Sequence, residues 1–195
     1  MIMNEYFDYK NNVLPQKGRL LISEPYLLDP NFERTVILLC EHNDEGTFGF
    51  VINKPSPIKF EEVVEGVSGF NENLYVGGPV QQDTLHFIHC EPELVEGGIE
   101  VDKGLFWGGN FERILTLIDI KKVDPERFRF FIGYSGWSPG QLEKEIEENS
   151  WIVSPGLEAD LLFKANSNDL WKLALNQLGG KFKIYSNYPV NPRLN

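Results

Sequence analysis

Apolar residues fall into short blocks separated by turn-forming residues, and the blocks follow two different periods. Thr35–His42 (TVILLCEH) is β-branched and apolar nearly throughout, the pattern of a strand buried on both faces. Asn43–Gly46 is a turn signal and Phe48–Asn53 the returning strand, which predicts a hairpin closed by Pro55 and Pro57. Arg19–Ser23, Leu74–Val76, Thr84–Cys90, Phe128–Tyr134 and Trp151–Val153 predict further strands, and Ile99–Phe106 one or two short ones. Helical spacing appears over Lys59–Val67, with Phe60, Val63, Val64 and Val67 on one face. It recurs from the N-cap candidate Asn110 to about Lys121, with Phe111, Ile114, Leu115 and Ile118 inward. Ser138 starts another helix with Leu142 and Ile146 inward, and Leu157–Ala165 and Asp169–Leu178 complete the set, the last stopped by Gly179-Gly180. Asp29 before Pro30 is a candidate cap for one helical turn.

Strands and helices alternate loosely with hairpins among them, which predicts an α/β fold with a mixed sheet and helices packed on it. Residues 1–17 form a polar N-terminal extension whose Tyr6, Phe7 and Tyr9 are suited to dock on the body, and the tail from Lys181 is expected to be extended. No repeat, low-complexity segment or linker interrupts the chain, so one domain over residues 1–195 is expected.

Composition narrows the function. Lys and Arg number 18 against 29 Asp and Glu, a net charge of −11. Residues 1–100 hold 6 basic and 17 acidic side chains and so carry all of it. A chain without a basic stripe is poorly built for direct nucleic-acid contact or for anionic membranes. The N-terminus has neither a basic segment nor an apolar core of the signal-peptide kind, no apolar run has the length of a membrane span, and the only cysteines are Cys40 and Cys90. These features predict a cytoplasmic protein with reduced thiols.

The most informative segment is Gly133-Tyr134-Ser135-Gly136-Trp137-Ser138-Pro139-Gly140-Gln141-Leu142-Glu143. A buried strand ends there and a helix begins, with Ser138 and Gln141 in the S-x-x-Q capping pattern and Pro139 at the first helical position. Such a helix start can hold an anion, or the glycines and caps can simply build a tight corner under Trp137. Gly133-x-Ser135 is a partial nucleophile-elbow pattern, with Trp137 where its last glycine belongs. Cys40 and His42 lie two apart on one strand, and His86 and Cys90 four apart on another, so strand alternation places each pair on one face. They admit a thiol–imidazole pair or a zinc site, although the spacings match no standard zinc motif. Arg34, Glu41, His42 and Asn53 are polar groups at strand ends, suited either to a ligand or to a buried network pinning the hairpin. Gly77-Gly78-Pro79 reads as a turn, because no phosphate-loop or dinucleotide glycine pattern occurs. Trp107, Trp137, Trp151 and Trp171 are expected in the core or in groove walls.

Taken together, GRLLIS (Gly18–Ser23), DPNFERT (Asp29–Thr35), CEH (Cys40–His42), GFVINKP (Gly49–Pro55), GGPV (Gly77–Val80) and GYSGWSPGQLE (Gly133–Glu143), followed by Asn149 and Trp151, resemble the AlgH-like (YqgE) family of bacterial proteins over about residues 18–178. The resemblance implies an α/β fold whose bifurcated sheet curls into a pseudo-barrel with helices outside. It implies no enzyme activity, and the family's transcriptional-regulator label comes from a link to alginate control. No helix-turn-helix pattern appears here, and family members often carry Ala where this chain has Ser135.

The functional expectation is a non-enzymatic binding or regulatory module acting through a protein or small-molecule partner, with no cofactor and no metal. Its candidate site comprises Arg34, Glu41, His42, Asn53, Ser138, Gln141 and Glu143, expected to converge on one exposed concavity. The alternative is a hydrolase-type enzyme using Cys40 with His42, or Ser135, as nucleophile.

Overall fold

A computed structural model describes residues 9, 11–157 and 159–190. Tyr6, Phe7 and the end of the tail lie outside the described residues. The strands are β1 (Leu20–Ser23), β2 (Val36–Asn43), β3 (Gly46–Val51), β4 (Pro55–Lys59), β5 (Asn73–Val76), β6 (Val80–His89), β7 (Ile99–Asp102), β8 (Leu105–Trp107), β9 (Phe128–Trp137) and β10 (Trp151–Ser154). The helices are α1 (Phe60–Val63), α2 (Phe111–Asp119), α3 (Gln141–Glu147), α4 (Ala159–Lys164), α5 (Ser167–Leu178) and α6 (Phe182–Tyr185).

The strands form one mixed sheet in the order β10-β1-β2-β3-β9-β6-β8-β7, curled but not closed into a barrel. Its branch point is β9. One edge of β9 pairs antiparallel with β6. The other edge is shared: β3 pairs antiparallel near the C-terminal end (Thr47 opposite Trp137, Gly49 opposite Ser135), and β5 runs parallel beside Phe131 and Ile132. This is the bifurcation that the resemblance implies. The turn Gly77-Gly78 crosses the fork so closely that a Cβ on Gly77 would lie 2.4 Å from the Gly133 carbonyl, and one on Gly78 2.3 Å from that of Tyr134. A glycine pair expected on turn grounds is required here by backbone contact.

Successive residues of the central strands bury different cores, which is why their sequences are apolar throughout. Leu20, Ile22, Val36, Leu38, Phe50 and Ile52 enter a cluster completed by Trp171 and Leu175 of α5. Leu21, Ile37, Leu39 and Val51 enter another with Trp137, Trp151 and Leu142 of α3. A third, built from Phe87, Phe128 and Phe130, is covered by Phe60 of α1 and by Ile114, Leu117 and Ile118 of α2. Each fully buried side chain of this size contributes about 2 kcal/mol.

Several boundaries differ from expectation. α1 is one turn only, because the chain leaves helical geometry at Val64. β4 carries Pro55 and Pro57, and its ladder with β5 is interrupted; prolines hide a strand in sequence but are tolerated where few N–H groups must pair. The tail is not extended after Lys181: α6 forms, and its Phe182 meets Tyr9 edge-on at 5.3 Å while Tyr185 is buried. Tyr9 does dock, accepting the Val153 amide on its hydroxyl at 3.2 Å. Asn110 caps α2 as expected, accepting from the Arg113 amide at 3.0 Å. Among the described residues no helix is long and apolar enough to cross a membrane.

Candidate functional site

The sequence-predicted site residues separate into two groups at opposite ends of the β2–β3 hairpin. Arg34 and Asn53 lie at the end away from its turn. Asn53 is 6% exposed; its side chain accepts from the Val36 amide at 2.8 Å and donates to the Arg34 carbonyl at 2.9 Å, which ties the two strands together. Arg34 has φ 50°, lies 4.7 Å over the Trp171 ring and donates to the Tyr188 carbonyl. Its Nε is buried with no hydrogen-bond partner among the described residues, and burial lowers its pKa. Asn53 thus pins the hairpin at this end, and Arg34 is held against Trp171 and the Tyr188 carbonyl.

At the turn end, Glu41, His42, Ser138, Gln141 and Glu143 come together. A β-bulge in β2 between Leu39 and Glu41 decides how. It breaks the alternation that would have placed Cys40 and His42 on one face. Cys40 is 2% exposed in the core with Leu38, and burial pushes its thiol pKa far up. His42 turns instead toward α3. Its Nδ1 is 2.6 Å from the Thr47 hydroxyl, and its Nε2 lies 3.5 Å from a Glu143 carboxylate oxygen. Carboxylate, imidazole and hydroxyl stand in the order of a proton relay, but Thr47 is only 8% exposed. In this structure the chain of contacts fastens the hairpin to α3.

The other nucleophile candidate has no access either. β9 continues through Ser135 to Trp137 with no strand-to-helix turn at the serine, so no elbow forms, and the buried Ser135 hydroxyl donates to the Gly77 carbonyl at 3.0 Å. Cys90 lies in the same core cluster as Cys40. Among the described residues no group of three His, Cys, Asp or Glu side chains is placed to hold a metal.

The helix after β9 begins at Gln141, two residues later than its capping pattern predicts, with Gly140 rather than Ser138 at the N-cap, in the left-handed region (φ 74°). Only half of the box forms: the Ser138 amide donates to the Gln141 side chain at 3.0 Å. The element that positions this corner is Glu145. One of its carboxylate oxygens accepts both the Trp137 indole N–H (2.8 Å) and the Trp151 indole N–H (2.7 Å), and the other accepts from Gln141 at 2.9 Å. No spacing rule points to Glu145, because its partners sit on two different strands.

Between the hairpin, β9, β6 and β8 lies a cleft of about 660 Å³, within the range of small-molecule sites. Its apolar side is aromatic: Phe48 and Trp107 lie 4.7 Å apart, Phe48 and Tyr134 6.1 Å, and His86 and Tyr134 5.9 Å between ring centroids. Its rim is polar, with Glu41, Asn43, Glu45 and Ser138. Gly136 pairs with Phe48 across the ladder and is exposed. A side chain there would stand over the cleft, its Cβ 3.2 Å from the edge of the Tyr134 ring. Asn43 shapes the rim by accepting from the Glu45 amide (2.8 Å) and donating to Glu41 (2.7 Å). Of the sequence-predicted residues, Glu41 and Ser138 line this cleft, while His42, Gln141 and Glu143 brace the wall behind it. The aromatic side is only partly legible from sequence, since Phe48, His86, Trp107 and Tyr134 come from four strands.

A second hollow, of about 460 Å³, includes Arg129. This guanidinium is 4% exposed, lies 4.4 Å over the Tyr75 ring and donates to the Ile52 (2.7 Å) and Phe163 (3.1 Å) carbonyls. Burial lowers its pKa. Glu72, Asp124 and Glu126 share the hollow.

Comparison with known proteins gives consistent results. A family model described as AlgH-like matches residues 20–183. A UPF0301 protein of Cytophaga hutchinsonii is 44% identical over 180 residues, covering 92% of this chain and 98% of its own. A UPF0301 protein of Chlorobium limicola is 42% identical over 178 residues, covering 91% and 95%. The solution structure of the AlgH protein from Pseudomonas aeruginosa superposes with a TM-score of 0.70 at 30% identity, covering 93% of this chain and 98% of that one. A crystal structure from Corynebacterium diphtheriae gives 0.68 at 26% identity, covering 92% and 95%.

Proposed function

The chain belongs to the AlgH-like family, and from that premise we propose that it is a non-enzymatic binding module whose site is the cleft at the turn end of the hairpin, with regulation exerted through what occupies it. The observation that carries this reading is the cleft's construction. Half-buried aromatics from separate strands are left uncovered on one side, and the residue that would cover them, at position 136, is glycine. The braces behind it, His42 to Glu143 and Glu145 to two indoles, hold the wall in a fixed shape, as a preformed pocket requires. A hydrolase built on Cys40 or Ser135 finds no support in the geometry, because both side chains are sealed from solvent.

Equilibrium dialysis against a small-molecule cell extract tests the reading, with wild type compared to Gly136→Leu, which plugs the cleft. Mass spectrometry should find at least one compound enriched with wild type and not with the plugged variant. No enrichment, or equal enrichment by both, overturns it.

A further inference from the structure

We infer that this cleft takes a small organic cation, an ammonium or guanidinium group on a short apolar body. The inference deepens the binding reading above and rests on it. Among the described residues lining the cleft there is no Lys or Arg, while Glu41 and Glu45 stand exposed on its rim. Behind the rim the surface is π-rich. Phe48, Trp107 and Tyr134 are each half-buried, and aromatic faces attract cations through the ring quadrupole.

His86 fits the same assignment. Its Nε2 lies 2.9 Å from the Thr84 hydroxyl, and that hydroxyl donates its own proton to the Gln81 carbonyl at 2.7 Å. The hydroxyl therefore accepts from His86, which fixes the proton on Nε2 and leaves Nδ1 as a lone-pair acceptor. Burial favours the neutral ring by lowering its pKa. Carboxylates, π faces and an imidazole lone pair are all complementary to a cationic N–H donor. An anion would meet the two rim carboxylates with no Lys or Arg among the described lining residues, and a neutral ligand would gain nothing from their charge.

The test uses n-butylguanidinium, its neutral isostere n-butylurea and the anion pentanoate, titrated into the full chain at low salt with tryptophan fluorescence and calorimetry. Butylguanidinium should bind at least about tenfold more tightly than butylurea, and pentanoate should not bind. Glu41→Gln with Glu45→Gln, both on the exposed rim, should weaken cation binding about tenfold more than it weakens butylurea binding. Gly136→Leu should abolish binding of both butylguanidinium and butylurea. Butylurea or pentanoate binding as tightly as the cation overturns this inference while leaving the cleft reading intact. Failure of all three probes at the cleft counts against both. Binding of an arginine-bearing peptide without binding of free butylguanidinium also overturns it, because the occupant is then a protein partner.

Discussion

Replacing Glu145 tests how the corner beside the cleft is held. One carboxylate oxygen takes two indole N–H groups, from Trp137 (6% exposed) and Trp151 (1% exposed). In Glu145→Ala both donors lose a charged acceptor at buried positions. Hydrogen bonds to charged groups are worth about 1.5–3 kcal/mol each. Glu145 itself is half-buried, which admits some water and selects the lower end, about 3 kcal/mol for the pair. For a chain of this size that corresponds to a fall in Tm of roughly 6–12 °C. Glu145→Gln keeps an oxygen able to accept from both indoles but loses the charge and turns an amide toward Gln141, costing about 1 kcal/mol, or roughly 2–4 °C. Thermal unfolding followed by circular dichroism measures both, and the near-ultraviolet bands of the two tryptophans report the local change. An alanine variant within about 2 °C of wild type refutes the clamp. So does a glutamine variant as damaged as the alanine one.

The other predictions concern stability and access. His89 donates from Nε2 to the Gly108 carbonyl and accepts the Glu91 amide on Nδ1, so it must be neutral, and burial lowers its pKa. The unfolded chain then binds the proton first: stability is complete above the unfolded value of about 6.5 and is lost as pH falls from there toward the folded value. Denaturant unfolding at about pH 7.5 and 5.5 should show a loss for wild type that is smaller in His89→Gln, and equal losses would contradict the assignment. Neither Cys40 nor Cys90 should react with a thiol reagent in the native protein at mildly alkaline pH, and both should react once it is unfolded, since both are buried. Rapid labelling of the native chain at either would show an access route absent from this structure. Gly49→Ala places a Cβ 2.2 Å from the Leu38 carbonyl and should cost about 3 kcal/mol or more, whereas Gly136→Ala should cost under about 1 kcal/mol. Similar costs for the two, read from chemical denaturation, would mean that the hairpin ladder relaxes more than its geometry suggests.

Much of the scaffold is legible in the sequence. The β2–β3 hairpin, β9 and β10 announce themselves through continuous apolar runs, and α2 through its cap and period. β4 is hidden by its prolines and α6 by a short, tail-like sequence whose helix exists because Phe182 and Tyr185 find a core to bury in. The candidate site is legible in part. Glu41 and Ser138 reach the cleft, and His42 lies next to it. Arg34 and Asn53 cannot, because an antiparallel hairpin carries the start of one strand and the end of its partner to the same end, away from the turn. Alternation also fails at Cys40, where one bulged residue reverses the face of everything after it. The clamp at Glu145 and the edge-to-face cluster of Phe48, Trp107, Tyr134 and His86 depend on strand order, which local pattern does not encode.

The most direct test of the central claim is an amide chemical-shift map of the isotopically labelled protein with a small-fragment library. Hits are predicted to perturb Glu41, Gly46–Phe48, His86, Trp107 and Gly136 together, and to lose that pattern in Gly136→Leu. Hits that instead cluster around Arg34 and Asn53 or in the Arg129 hollow, or that leave the cleft amides unmoved, would contradict it.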